Sequence, residues 1–201
     1  MSNMDPKYII KLTVTLFLTC VIVAGALGFV NQLTAPNIAA INKEKTENAM
    51  RAVVADPENS TFSDALELSD DMTAAATSAG GTLTEAYQVT ANGENAGYAF
   101  KVVASGSQGN IEMMVGVDAD GVVTGVSIVS NSETSGIGSK VMNNEPLANG
   151  TPVLDQFIGK SAADGTLAVG TNVDAISGAT VSSRGVTTGV NAALAVASVV
   201  G

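Results

Sequence analysis

The chain has 201 residues, 46% of them hydrophobic, and 19 acidic against 9 basic side chains give it a formal charge of −10. Binding to nucleic-acid phosphates needs clustered Lys and Arg, and no basic patch exists, so a nucleic-acid partner is excluded. There is no histidine and a single cysteine, Cys20, so His or Cys zinc sites, haem ligation through His, thiolate iron–sulfur sites and His acid–base chemistry are outside this chain's own means.

In chain order, the first element is Leu12 to Val30, LTVTLFLTCVIVAGALGFV, which carries no charge. Its length is close to the roughly 20 residues that cross a bilayer's hydrocarbon core. Lys7 and Lys11 precede it and the next basic residue is Lys43, which predicts a cytoplasmic N-terminus with the remainder outside. A cleaved signal peptide would have a shorter apolar region ending at a small-residue cleavage site. Here the Ala24-Gly25-Ala26 cluster lies within the apolar run, so an uncleaved, single-pass anchor is expected. Cys20 lies inside that span as a small apolar residue. Any redox work beyond the anchor therefore falls to an organic cofactor.

Pro36 is expected to start a second helix reaching about Val54, with Ile38, Ile41, Ala49 and Val53 as its apolar stripe. Asp56-Pro57-Glu58-Asn59-Ser60 ends that segment, and residues 62–81 read as a short helix and loop. Strands follow from near Leu83. Alternation through Tyr87 and Val89, then Asn92-Gly93, predicts a hairpin returning over Tyr98–Ala104. Strands over Ile111–Val117 and Val122–Val129 are separated by Asp118-Ala119-Asp120-Gly121. That turn lacks the remaining ligands of a calcium loop. Asn131–Ser139 is a polar loop and Pro152–Ile158 a short helix with Val153, Leu154, Phe157 and Ile158 buried. Leu167–Val169 and Asn172–Ile176 are extended, and Ser183–Val200 closes the chain as a helix rich in Val and Ala. The fold class is α+β: a transmembrane helix followed by a small antiparallel sheet with packed helices. Residues 1–34 form the cytoplasmic stub and anchor, 35–80 a helical and loop linker, and 81–201 the folded domain.

Val173-Asp174-Ala175-Ile176-Ser177-Gly178-Ala179-Thr180-Val181-Ser182-Ser183 leads into the last helix. A strand-to-helix junction with small residues and hydroxyls suits an anion, because the first amides of a helix lack internal partners. An ordinary glycine turn followed by a hydroxyl cap accounts for the same residues.

Ser177-Gly178-Ala179-Thr180, followed two residues on by Ser182, resembles the flavinylation motif of the FMN-binding domain family. Glu133-Thr134-Ser135-Gly136-Ile137-Gly138 resembles that family's second segment, roughly Glu-Thr-Pro-Gly-Leu-Gly, with Ser135 for proline and Ile137 for leucine. The resemblance spans about residues 80–200 and the anchor. It implies covalent FMN as a phosphoester on Thr180, with Ser177, Gly178, Ala179, Ser182 and Ser183 around the phosphate. Glu133, Thr134 and Ile137 would line the isoalloxazine ring. Lys140, nearby in sequence, is either a charge partner for the flavin or a solvated surface lysine. No catalytic residue of the chain's own and no metal are implied.

The implied role is a membrane-anchored electron-transfer subunit of an ion-translocating ferredoxin:NAD+ oxidoreductase (Rnf) complex. Its implied partners are the other membrane subunits and a flavin transferase that installs FMN from FAD. The C subunit of the Na+-translocating NADH:quinone reductase is an alternative within the family, and so is a free-standing extracytoplasmic flavin carrier. A non-redox pilin-like protein shares the outline of apolar helix and acidic head. It requires a processing glycine before the apolar run and an early glutamate, and neither is present.

Overall fold

The computed structural model describes residues 6–200 and divides into two compact units, one up to Glu44 and one from Lys45 onward. Residues 1–5, the start of the expected cytoplasmic stub, lie outside the described residues.

Helix α1 runs from Pro6 to Ala52. Sequence reasoning expected a break at Pro36; the helix instead continues through it. Proline removes one backbone donor, but its cost is confined to one hydrogen bond and one steric contact with the preceding turn, and a long helix survives that locally. The first unit's part of α1 contains the apolar window, whose mean hydropathy is 2.3, and none of that window is buried by protein. Leu16, Phe17, Ile22, Leu27 and Phe29 point outward around the helix and are all more than 60% exposed. By length and composition this helix is long and apolar enough to cross a membrane. Thr13, Thr15 and Thr19 turn their hydroxyls back onto carbonyls four residues earlier at 2.7–2.9 Å. Their polar groups are thereby satisfied within the helix.

The second unit takes in the end of α1, where Thr46, Ala49 and Met50 are buried. Ile38 and Ile41, expected on the same stripe, are exposed. Next come β1 (Ser60–Phe62), α2 (Asp70–Ser78), β2 (Thr82–Ala91), β3 (Glu94–Ser105), β4 (Asn110–Asp118) and β5 (Val123–Asn131). The strands form one antiparallel sheet in sequence order. β1 was not expected from the sequence, because three residues are too few to show alternation. It belongs with α2 to the same compact unit as the rest of the sheet. The β2–β3 turn has Asn92 at φ 55° and Gly93 at φ 86°, the left-handed pair that a two-residue hairpin demands. At the β4–β5 turn, the Asp118 carboxylate accepts from the amides of Asp120 and Val122 at 3.0 and 2.9 Å. That aspartate thus closes a hairpin with its own backbone.

After β5 come α3 (Gly138–Met142), two 3₁₀ turns at Asp155–Phe157 and Ala162–Asp164, and α4 (Thr180–Val200). The Pro152–Ile158 helix expected from sequence shrinks to the first of these turns. Val153, Leu154 and Phe157 are buried as expected, but Ile158 is 51% exposed. The two extended pieces after it are joined by a parallel bridge between Val169 and Val173. α4 begins at Thr180, three residues before the expected start.

Two cores flank the sheet. On one face, Phe100, Val102, Ile111, Met113, Val115 and Val117 pack with Val186, Val190 and Ala193 of α4 and Met72 and Ala76 of α2. Burying aliphatic and aromatic side chains of this size contributes about 1.5–3 kcal/mol each. Gly189 lets α4 lie close to the sheet, since a Cβ there would meet the Met113 sulfur at 2.5 Å. On the other face, Ala49, Met50 and Val53 cover Val89, Ala99 and Met114. Val53 follows α1, and its carbonyl accepts the Thr124 hydroxyl at 2.5 Å. Gly125 is needed beneath it, because a Cβ there would fall 2.8 Å from the Val53 Cα. This face also carries a charged network. Lys101 Nζ lies 3.1 Å from both Glu85 and Glu112, and the Tyr87 hydroxyl donates to Glu85.

Candidate functional site

In an antiparallel meander the start of β4 and the end of β5 lie at the same end of the sheet, and Ile111 is opposite Asn131. The β3–β4 loop and the segment leaving β5 therefore emerge together, and the first turn of α4 completes the grouping. These three segments enclose a cavity of about 280 Å³. Ser107 and Gln108 line it from the first, Glu133, Thr134, Ile137 and Gly138 from the second, and Gly178 to Ser182 from the third.

The α4 wall is built by its lead-in turn. Gly178 has φ 84°, the left-handed conformation that glycine adopts without steric cost, and Ala179 N–H donates to the Ile176 carbonyl at 2.9 Å. The Ala179 carbonyl accepts the first helical bond, from Ser183 N–H at 2.9 Å, which makes Ala179 the N-cap residue. Alanine has no side-chain oxygen with which to cap. The amides of Thr180, Val181 and Ser182 consequently have no partner within the helix, and these residues line the cavity. The helix has no acidic side chain of its own in the first turn, and the one carboxylate beside it, Glu133, bonds the Ser182 hydroxyl rather than an amide, so the first amides stay open to an anion.

The middle wall turns on Glu133. One carboxylate oxygen accepts from Ser107 N–H at 2.7 Å and Gln108 N–H at 3.2 Å, and the other accepts the Ser182 hydroxyl. Asn131 steadies the segment by accepting from Glu133 N–H at 3.1 Å. Beyond it, Gly136 takes a positive φ of 88° and donates to Ser139 Oγ at 2.8 Å. This tight turn leaves Thr134 and Ile137 exposed at the cavity wall. Val181 is 52% exposed and Ile137 54% exposed, giving the polar cavity two apolar side chains.

Of the residues singled out in the sequence, Gly178, Ala179, Thr180, Ser182, Glu133, Thr134 and Ile137 come together here. Ser177 is exposed and outside the lining, and Ser183 is buried with its hydroxyl donating to the Ala179 carbonyl at 3.1 Å. Lys140 lies on α3, also outside the lining. Ser107, Gln108 and Val181 were not anticipated. The strand order held the signal for the first two, because a meander brings the 106–110 turn to the same sheet end as residues 131–139.

An FMN-binding domain family model matches residues 106–195, the stretch that contains the whole cavity. Over 96% of this chain and 94% of the relative, the sequence is 34% identical to the G subunit of the Na(+)-translocating ferredoxin:NAD(+) oxidoreductase complex of Acetobacterium woodii. It is 31% identical to the G subunit of the proton-translocating ferredoxin:NAD(+) oxidoreductase complex of Clostridium ljungdahlii, over 96% of this chain and 94% of the relative. The G subunit of the ion-translocating oxidoreductase complex of Methanosarcina acetivorans is 30% identical over 94% and 95%. A shared FMN-binding core and alignment along nearly the full length of these relatives lead to one conclusion: the chain belongs to the family of G subunits of ion-translocating oxidoreductase complexes.

Proposed function

We propose that this chain is the membrane-anchored flavin relay of an ion-translocating ferredoxin:NAD+ oxidoreductase complex, with FMN tethered as a phosphoester to Thr180. The observation that carries the reading is the uncapped first turn of α4, which opens on the cavity with Thr180 as its first residue. Unpartnered helix amides and the helix dipole favour a phosphate there, and the Thr180 side-chain oxygen is the tether. Small-molecule pockets typically hold roughly 300–1,000 Å³. The cavity, about 280 Å³ and open on one side, is close to the lower end of that range. Ile137 and Val181 offer apolar contact to the ring, and the Thr134 hydroxyl is available to a polar ring edge.

When bound, FMN supplies the electron-transfer chemistry that the chain's own side chains lack. The protein's part is to hold and orient it. A covalent tether keeps the flavin at high effective concentration beside its redox partners and prevents its loss where no free FMN would replace it. The apolar part of α1 anchors the domain in the membrane. Lys7 and Lys11 before it favour a cytoplasmic N-terminus and an extracytoplasmic FMN domain. Partners in this reading are the other membrane subunits and a flavin transferase that donates FMN from FAD.

The test is in-gel flavin fluorescence after denaturing electrophoresis of membranes from a host that makes the transferase. The wild-type band should fluoresce and the Thr180→Ala band should be dark. A Thr180→Ala band as bright as wild type would overturn the tether.

A further inference from the structure

Standing in the cavity's middle wall, Glu133 touches the other two. Its carboxylate takes the amides of Ser107 and Gln108 and the hydroxyl of Ser182. These partners lie 26, 25 and 49 residues away in sequence, so no local turn explains the arrangement. Two glycines make room for it. A Cβ on Gly106 would collide with one carboxylate oxygen, and a Cβ on Gly138 with the other. Neither glycine has a left-handed φ, so it is space around the carboxylate, rather than backbone conformation, that requires glycine there. A third glycine, Gly185, lets α4 approach the same loop, since its Cβ would meet the Ser105 carbonyl at 2.6 Å.

We infer that Glu133 is a positioning residue: it clamps the β3–β4 loop and the first turn of α4 to each other and so sets the geometry of the phosphate cradle before any flavin is attached. Its role is then not contact with the ring. Both carboxylate oxygens are already occupied by protein donors, and hydrogen bonds to an ionised acceptor are among the stronger ones. The clamp also settles how donors are divided at the site. Ser107, Gln108 and Ser182 are committed to Glu133, while the backbone amides of Thr180 to Ser182 are left for an external anion. This inference rests on the Thr180 reading for its effect on flavin loading, but the clamp itself exists in the protein without flavin.

The test uses the full-length chain in detergent with four variants, Glu133→Ala, Glu133→Gln, Gly106→Ala and Gly138→Ala. Amide hydrogen exchange is measured on the unflavinylated protein, and FMN stoichiometry by mass after exposure to the transferase and FAD. Glu133→Ala should lose protection over residues 106–109 and load FMN at least about tenfold more slowly, the scale expected for losing hydrogen bonds to a charged group. Glu133→Gln keeps an acceptor for both amides, and Ser182 can rotate its hydroxyl to accept instead. It should retain protection and load within about threefold of wild type. Gly106→Ala and Gly138→Ala keep Glu133 but displace its carboxylate, and each should behave like Glu133→Ala.

The melting temperature should fall by no more than about 2–4 °C in any of these, the shift that a domain of this size shows for a small loss of stability. Wild-type exchange and loading in Glu133→Ala would overturn the inference. So would a Glu133→Gln variant as impaired as Glu133→Ala, since charge rather than clamping would then be the requirement. A Thr180→Ala control that still gains FMN would sink the tether alone, leaving the exchange result to judge the clamp.

Discussion

Helices α2 and α4 start in opposite ways. At α2, the Ser69 hydroxyl accepts from Met72 N–H at 3.2 Å, and Asp70 and Asp71 stand in the first turn. Its orphan amides and its dipole are answered by its own sequence. At α4 the cap residue is Ala179, the first turn has no acid, and the amides belong to residues that line a cavity. A helix start finished by its own side chains is a structural joint. One left unfinished beside a cavity keeps its binding capacity for something else.

The comparison breaks most readily at Val181, which is exposed on the cavity wall. Val181→Asp gives α4 the acid that α2 already has. It should lower FMN loading by about tenfold or more, because an acid there competes with the phosphate for the helix dipole. Folding stability should stay within about 0.5 kcal/mol of wild type, as for most surface changes. Loading assays beside urea melts would read both. A milder exchange is Ala179→Ser, which supplies the missing cap oxygen. The unloaded protein should gain about 0.5–2 kcal/mol, while loading slows by several-fold as the new hydroxyl takes an amide the phosphate needs. The reciprocal change, Ser69→Ala, should cost about 1 kcal/mol and leave loading untouched. If Ser69→Ala impaired loading as much as Val181→Asp, the contrast between the two helix starts would have no functional meaning.

The smallest expected effect lies on the sheet's other face. Burial, reinforced by the neighbouring Glu85 carboxylate, pushes the Tyr87 hydroxyl well above its ordinary value. Burial works to lower Lys101, but the Glu85 and Glu112 carboxylates outweigh it and hold the ammonium above its usual range. Both groups therefore bind their protons more tightly when folded. The stability they contribute is complete below their ordinary values of about 10 and is lost as pH rises through the folded ones. Melting temperature should fall in alkaline solution above about pH 10, and Glu85→Gln should flatten that fall without altering FMN loading.

Much of this was legible in the sequence because its signals are local. Asn92-Gly93 and Asp118-Ala119-Asp120-Gly121 carry their turn chemistry within four residues, and the strands between them alternate. The apolar run from Leu12 to Val30 needs no partner to be recognised. The sites that escaped are short or depend on distant contacts. β1 and α3 have three and five residues, too few for a period to show. Pro36 suggested a boundary because its local rule is strong, yet the helix continues on both sides of it, with hydrogen bonds enough to outlast the one that proline removes. Ser183 was read as a phosphate ligand by its place in the motif; its hydroxyl donates to the Ala179 carbonyl, as helical serines often do. Glu133 was assigned to the ring by resemblance. The protein donors on its carboxylate, Ser107, Gln108 and Ser182, are brought to it only by the meander and by the packing of α4, which no local pattern records.

The most direct test of the central claim is peptide mass mapping of the membrane-purified chain. Trypsin should release Ser161–Arg184, which runs between consecutive basic residues and contains Thr180. The account predicts a gain of one FMN less one water on this peptide, localised by fragmentation to Thr180 and absent from Thr180→Ala. An unmodified peptide from a host that flavinylates a control protein, or a flavin localised to another residue, would contradict it.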